Sequence, residues 1–250
     1  MSATDSYYVA RTMQTVELLA FDARSATEVA DALHVVARTA RRLLRRLVDE
    51  EYASCDDRPA SLGGRRYTLS LRLLALAGHA LARTELPRVA APFISELHGQ
   101  TGHTAHLVIP SYDRVLCLAH ADNGIEALPA VRELAPCHCT AGGKALLAER
   151  LRWQRAVLSG TLEAFTAHTE TDPEVLHREL SEIAVRGYAI EADEYRTGRH
   201  GVAAVVRTET GEAVASIALT AAGALDSTTA ARHVIRIAAG VSSQLAGRGA

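Results

Sequence analysis

One short segment constrains this chain more than any other. From Val35 to Tyr52 it reads VVARTARRLLRRLVDEEY, with five arginines, Arg38, Arg41, Arg42, Arg45 and Arg46, ahead of the first acid, Asp49. At the helical period of about 100° per residue, Arg38, Arg41, Arg42 and Arg45 share one side. Val36, Ala40, Leu43, Leu44 and Leu47 fall on the opposite side. Such a helix docks on a core by its apolar side. Its guanidinium groups are then free to pair with phosphates and with guanine edges in a major groove. A solvated face is the plainer meaning of a charge run, so the flanking segments decide between the two.

Both flanks favour a nucleic-acid role. Ser25 followed by Glu28 is a capping-box pattern opening a short helix that ends near Leu33. The turn Leu33–Val36 then leads into the arginine helix, which is helix-turn-helix order. A first helix is expected over Ala10–Phe21, behind a frayed tail at residues 1–8. After the arginine helix, Tyr52–Cys55 and Arg65–Leu69 read as two strands. The turn region Asp56–Gly64 between them contains Pro59, Gly63 and Gly64. A hairpin in that place is a wing, and Arg65 and Arg66 on it are placed to touch phosphate or a minor groove. The DNA-binding set is therefore Arg38, Thr39, Arg41, Arg42, Arg45, Arg65 and Arg66. The first four lie near the helix amino terminus, where base edges are reached, and Arg45 is farther along, suited to phosphate.

The charge balance is local rather than global. The 250-residue chain has a net charge of -2, yet residues 1–83 carry 12 arginines against 10 acids. With 48% hydrophobic and 22% charged residues, the chain is globular rather than disordered. No basic-plus-apolar leader and no apolar run approaching about 18 residues is present, so a cytoplasmic protein with no membrane segment is expected. Four cysteines, Cys55, Cys117, Cys137 and Cys139, fit no disulfide framework.

Beyond the wing, Leu69–Thr84 is rich in alanine and leucine and reads as a linker helix. After Leu86-Pro87 the pattern becomes mixed. Helices are expected over Pro87–His98, Thr140–Arg150, Pro173–Val185 and Thr228–Leu245, and strands over Thr104–Ile109, Val115–His120, Gly201–Arg207 and Ala213–Thr220. This divides the chain into a DNA-binding domain, 1–69, a linker helix, 70–85, and a mixed α/β domain, 86–250. In the second domain Thr140 reads as an N-cap, and Ala141, Gly142 and Gly143 open a helix with small side chains. Exposed N–H groups there can hold a carboxylate.

Three segments in this order resemble the IclR family of bacterial transcription regulators: SATEVADALHVVARTARRLLRRL, HCTAGGKALLAE and RGYAIEADEYRTGRHGVAAVVR. The resemblance implies an α+β chain, with an N-terminal winged helix-turn-helix joined by a linker helix to a C-terminal α/β effector-binding (GAF-like) domain. It implies a ligand-responsive, sequence-specific regulator, repressor rather than activator, acting as a homodimer or homotetramer. The partners are double-stranded DNA carrying a near-palindromic operator and a small effector such as an organic or aromatic acid. It places Ala141, Gly142, Glu191, Gly201, Ala218 and Thr220 around the effector cavity. Thr140 and Gly143 join that effector-binding set through the helix-terminus reading. The family commonly has a cysteine at the position of Gly201 and a serine at that of Ala218, so a roomier, less polar cavity is expected.

Competing chemistries fare worse. Ala141-Gly-Gly-Lys144 suggests a phosphate loop, but the position of its first glycine is His138. Cys137-His138-Cys139 lacks the spacing and second pair of a zinc site, so no metal and no cofactor are expected. An enzyme would have to build a Cys/His pocket from Cys137, Cys139 and His138, or use the single lysine, Lys144. An architectural DNA binder would show a filled C-terminal core.

Overall fold

Apolar periodicity decides where each half of the chain closes its core. A computed structural model describes residues 3–56, 64–122 and 134–247. It divides into two units, Met1–Arg83 and Thr84–Ala250.

The first unit contains α1 (Ala3–Phe21), α2 (Ala26–Ala32), α3 (Ala37–Asp49), β1 (Ala53–Asp56), β2 (Arg66–Leu69) and α4 (Arg72–Arg83). The capping box at α2 forms as expected: the Ser25 side chain accepts from the Glu28 N–H, and Glu28 accepts from the Ser25 N–H at 2.6 Å. His34 takes a left-handed φ of 51° in the α2–α3 turn, which lets α3 cross α2 after so short a link. Ala40, Leu43, Leu44 and Leu47 of α3 are buried against Leu19, Val29, Leu33 and Tyr67. Val36 departs from that expectation and is 71% exposed. It is the N-cap of α3 with extended backbone, so the helical wheel does not govern its direction. The tail expected to fray is helical from Ala3. β1 pairs antiparallel with β2, Cys55 opposite Tyr67, and Arg24 bridges Tyr67 through reciprocal backbone hydrogen bonds. Most of the expected wing turn, residues 57–63, lies outside the described residues.

The second unit runs α5 (Glu85–Thr101), β3 (Thr104–Ser111), β4 (Arg114–Ala121), β5 (Leu134–Pro136), α6 (Ala141–Glu149), α7 (Leu151–Leu158), α8 (Pro173–Arg186), β6 (Ala189–Ala192), β7 (Arg199–Arg207), β8 (Ala213–Ala222) and α9 (Ser227–Ala246). The sheet order is β5-β4-β3-β8-β7-β6, with every neighbouring pair antiparallel. Strand periodicity sends alternate residues to opposite faces. Leu107, Val202, Ala204, Val206, Ile217 and Leu219 meet α5 and α9 on one face. Val108, Val115, Ala203 and Ala218 meet α6 and α8 on the other. Asp172 and Asp226 cap α8 and α9 through side-chain acceptance of two backbone N–H groups each. α7, β5 and β6 are additional to the sequence expectation; each is eight residues or shorter, with little room for a period to declare itself.

α6 is the helix that positions the cavity. A Cβ on Gly143 would lie 2.2 Å from the Cys137 carbonyl oxygen, and one on Gly142 would lie 2.7 Å from Val108 Cγ2. The helix therefore touches the chain before it and the sheet beneath it at backbone distance. Gly78 in α4 has open space around it. Gly143→Ala should destabilise the protein by about 1–3 kcal/mol, as overpacking does, whereas Gly78→Ala should stabilise by about 0.5–1 kcal/mol through helix propensity. Thermal or denaturant unfolding of the two variants checks the opposite signs.

Candidate functional site

In the first unit the arginines are held at the surface by a helix whose other side is buried. Arg38, Arg41, Arg42, Arg45 and Arg46 are all exposed, with Thr39 half-buried. Arg41, Arg45 and Arg65 converge on a cleft of about 410 Å³ whose other walls include Ser25, Thr27, Cys55 and Tyr67. The α2 amino terminus, the middle of α3 and the wing thus share one concavity. Its lining carries three arginines and no acid.

Arg66 and Arg42 of the predicted set are held by partners within the chain. Arg66 donates to the Ala23 carbonyl and pairs with Glu28 at 3.4 Å, so it fastens the wing strand to the front of α2. Arg42 donates to the Tyr8 hydroxyl, with its guanidinium 4.5 Å from the Tyr8 ring centroid. Tyr8 was missed because residues 1–8 read as a frayed tail. Nothing in their composition signals a helix that reaches back to α3.

In the second unit a second concavity lies on the sheet face beneath the α6 amino terminus. It measures about 50 Å³ and is bordered by Thr140, Ala141, Gly142, Glu191, Ala218 and Thr220, together with His106, Cys117 and Arg199. Six of the eight predicted effector residues therefore meet here. Gly201 stands next to them: a Cβ there would lie 3.2 Å from Glu191 Oε2 and 3.3 Å from the Ala141 Cβ. The Glu191 carboxylate stands in the space a side chain at Gly201 would enter, and the cavity beside it is small. Gly143 faces away, onto Cys137. Thr140 occupies the N-cap, yet its hydroxyl donates to the Pro136 carbonyl at 2.7 Å and caps no N–H.

The polar groups are arranged around Glu191, which is 1% exposed. Its Oε2 accepts the Ala141 N–H at 3.3 Å, the first free donor of α6. Its Oε1 forms an ion pair with Arg199 Nε at 3.4 Å, and neither of these atoms makes a hydrogen bond. Burial pushes the Glu191 carboxyl above its ordinary value, against the pull of Arg199 and the Ala141 N–H. His106 sits opposite, with Nε2 2.8 Å from Thr220 Oγ1. Burial, then the Arg199 and His120 charges, pushes His106 down to about 3, so it is a neutral ring at any physiological pH. Sequence reasoning missed His106 and Arg199. A signal was available for Arg199, two residues from Gly201 on one strand and so on the same face; His106 lies across the sheet from Ala218, a pairing the sequence does not declare.

The alternative Cys/His chemistry lacks the geometry it needs. His138 Nε2 contacts the Glu163 carbonyl at 3.0 Å. Burial pushes the Cys137 thiol up to about 12, and Cys139 rises for the same reason. A thiol is nucleophilic as its thiolate, which both positions disfavour. Lys144 is 1% exposed, and its ammonium is held by Glu179 at 2.7 Å and by both Glu194 oxygens at 2.7 and 2.8 Å. Burial pushes Glu194 up to about 7 in spite of that partner. No cluster of metal-ligating side chains occurs among the described residues.

Comparison with known proteins agrees with this layout. Residues 78–238 match the family described as "Bacterial transcriptional regulator IclR C-terminal". The HTH-type transcriptional regulator BhcR of Paracoccus denitrificans is 30% identical over 214 residues, covering 84% of this chain and 75% of its own length. An IclR transcriptional regulator from Alicyclobacillus acidocaldarius superimposes with a TM-score of 0.69 at 26% identity, covering 96% of this chain and 97% of that one. An IclR homologue from Microbacterium hydrocarbonoxydans, crystallised with 4-hydroxybenzoate, superimposes with a TM-score of 0.65 at 23% identity, covering 95% and 98%.

The burial pattern predicts an order of thiol reactivity. Cys55 is exposed, whereas Cys137 and Cys139 are fully buried. Iodoacetamide at pH 8 should label Cys55 in the native protein and reach Cys137 and Cys139 only after unfolding, as peptide mass spectrometry would read.

Proposed function

The chain belongs to the IclR family of transcriptional regulators, and on that premise we propose that it is a repressor whose two arginine helices hold a near-palindromic operator until an organic acid enters the cavity beneath α6. It is an HTH-type regulator with a ligand-binding C-terminal domain, and its relatives are regulators rather than enzymes. The observation that carries the DNA reading is the basic cleft of Arg41, Arg45 and Arg65 between α3 and the wing. A solvated charge run would have no reason to converge with a hairpin arginine on one concavity.

The roles within the face divide by position. Arg38, Thr39 and Arg41, near the start of α3, read base edges, where each good bidentate arginine–guanine pair contributes roughly 1–3 kcal/mol of discrimination. Arg45 and Arg65 hold phosphate, and Arg66 positions the wing. Arg42 joins the base-reading group when it leaves Tyr8. Residues 1–69 serve as the DNA-binding domain, 70–85 as the linker and 86–250 as the effector and oligomerisation domain. Two copies present the recognition helices about 34 Å apart. α4 buries none of its residues and leaves Leu74 63% exposed, which supports pairing of a homodimer through that helix, with a homotetramer as its doubling. Among the described residues no helix is long and apolar enough to cross a membrane, and the protein acts in the cytoplasm, where its operator is.

The cavity serves as the effector site, with Thr140, Ala141, Gly142, Glu191, Ala218 and Thr220 on its wall and Gly201 and Gly143 setting the approach of strand and helix. The organic or aromatic acid is supported by the helix amino terminus and Arg199, and 4-hydroxybenzoate in the Microbacterium homologue is an example of the class. Effector control requires unequal affinity for two spacings of the DNA-binding domains.

Arg41→Ala should weaken binding to the operator about 5- to 100-fold and relax its sequence preference, with the melting temperature unchanged. Arg46→Ala, outside the cleft, should bind close to wild type. Equal binding by wild type and Arg41→Ala in a fluorescence-anisotropy titration would show that α3 is not the reading helix.

A further inference from the structure

The arginines on the DNA-facing side of α3 are not alike. Arg38, Arg41 and Arg45 are exposed and make no side-chain hydrogen bond or ion pair among the described residues. Arg42, on the same side of the helix, donates to the Tyr8 hydroxyl, and its guanidinium lies 4.5 Å from the Tyr8 ring centroid. The two ends of that contact are unequal. Tyr8 is half-buried and packs on the core of the unit, the Tyr7 ring meets it edge-on at 5.8 Å, and its carbonyl accepts from the Thr12 hydroxyl at 2.8 Å. Arg42 is exposed and carries a long side chain with many rotamers. Tyr8 is therefore a fixed post, and the guanidinium is the part that moves between it and DNA.

The competing interactions are of similar size. An exposed cation–π contact favours the held state about 2- to 5-fold, and a hydrogen bond from a charged donor adds about tenfold. A bidentate guanine pair offers roughly 5- to 100-fold in return. A guanine reached by Arg42 thus gains little over the contact that must break. We propose that Tyr8 is a positioning residue that sets the specificity of the DNA-reading surface: it withholds Arg42 from the bases, so that Arg38, Thr39 and Arg41 read the operator, and a guanine contact by Arg42 emerges only when Tyr8 is removed. The proposal rests on the reading of α3 as the helix in the major groove and adds which of its arginines is silent there. Held on Tyr8, Arg42 keeps its charge and favours binding to any sequence. Removing Tyr8 therefore adds base discrimination, the opposite of what removing Arg41 does.

The test is selection by the full-length chain from a pool of double-stranded oligonucleotides with a randomised core, with the preference at each base pair as the readout. Tyr8→Ala should gain a guanine preference of about 5- to 100-fold at one position of each half-site that the wild type leaves open. Tyr8→Phe, which keeps the ring and loses the hydroxyl, should gain a smaller one. The double variant Tyr8→Ala/Arg42→Ala should return to the wild-type preference, and Arg42→Ala alone should leave that preference unchanged. No new preference in either Tyr8 variant, or a gain that survives in the double variant, overturns the proposal. So does the loss of a wild-type guanine position in Arg42→Ala, which would show Arg42 already on a base. Loss of the ring from the core lowers the melting temperature, but it does not create a preference that depends on Arg42. If Tyr8→Ala is insoluble, Tyr8→Phe and its double variant with Arg42→Ala decide. The reading of α3 is separable. A position lost in Arg41→Ala, with none gained in the Tyr8 variants, sinks the role of Tyr8 alone. Preferences untouched by Arg41→Ala and by the Tyr8 variants sink both.

Discussion

The close approach of α6 to its surroundings is the constraint on which the second unit depends. Gly142 and Gly143 let the first turn of this helix approach Val108 and the Cys137 backbone at distances no Cβ would permit, with Ser216 also close by. Ser216 then donates to the Gly142 carbonyl at 3.0 Å, tying the helix to the central strand β8. Because the helix starts over the middle of the sheet, its unpaired N–H groups open onto strands β3, β7 and β8 rather than onto solvent. Everything polar in the cavity follows from that placement. An anion there is favoured by the helix terminus, and the chain supplies one, Glu191, from the adjacent β6.

Buried charge is the second theme. Taking ions out of water is costly unless each is paired and hydrogen-bonded. The Lys144 cluster meets that demand, with one ammonium shared between Glu179 of α8 and Glu194 in the segment after β6. It joins α6 to two elements distant in sequence and acts as a fastening. The Glu191–Arg199 pair meets it only in part.

The helix-turn-helix was legible because its signals are local. The capping box at Ser25 and Glu28, the leucines at helical spacing in α3 and the strand residues around Tyr67 each depend on neighbours within a few residues. The sheet hairpins were legible by period two, and the cavity wall at Ala141, Gly142 and Thr220 through family resemblance. The rest depended on contacts far apart in the chain. Tyr8 meets Arg42 and Arg66 meets Glu28 through the packing of α1 and the wing on α2 and α3. His106 enters the cavity because β3 lies beside β8, an adjacency that the sequence order leaves open. The filled space above Gly201 also escaped prediction, since a missing side chain is as easily room for a ligand as room for a neighbouring glutamate.

In the proposed mechanism one surface reads DNA, and one cavity changes how well it does so. The most direct measurement is an anisotropy titration of the protein against DNA upstream of its own gene, with nonspecific competitor, repeated across a panel of small and aromatic carboxylates. The expected result is competitor-resistant, salt-sensitive binding that at least one carboxylate weakens, with the DNA weakening the affinity for that carboxylate by the same factor. Binding no tighter than to the competitor, in the presence and absence of every acid, would contradict it.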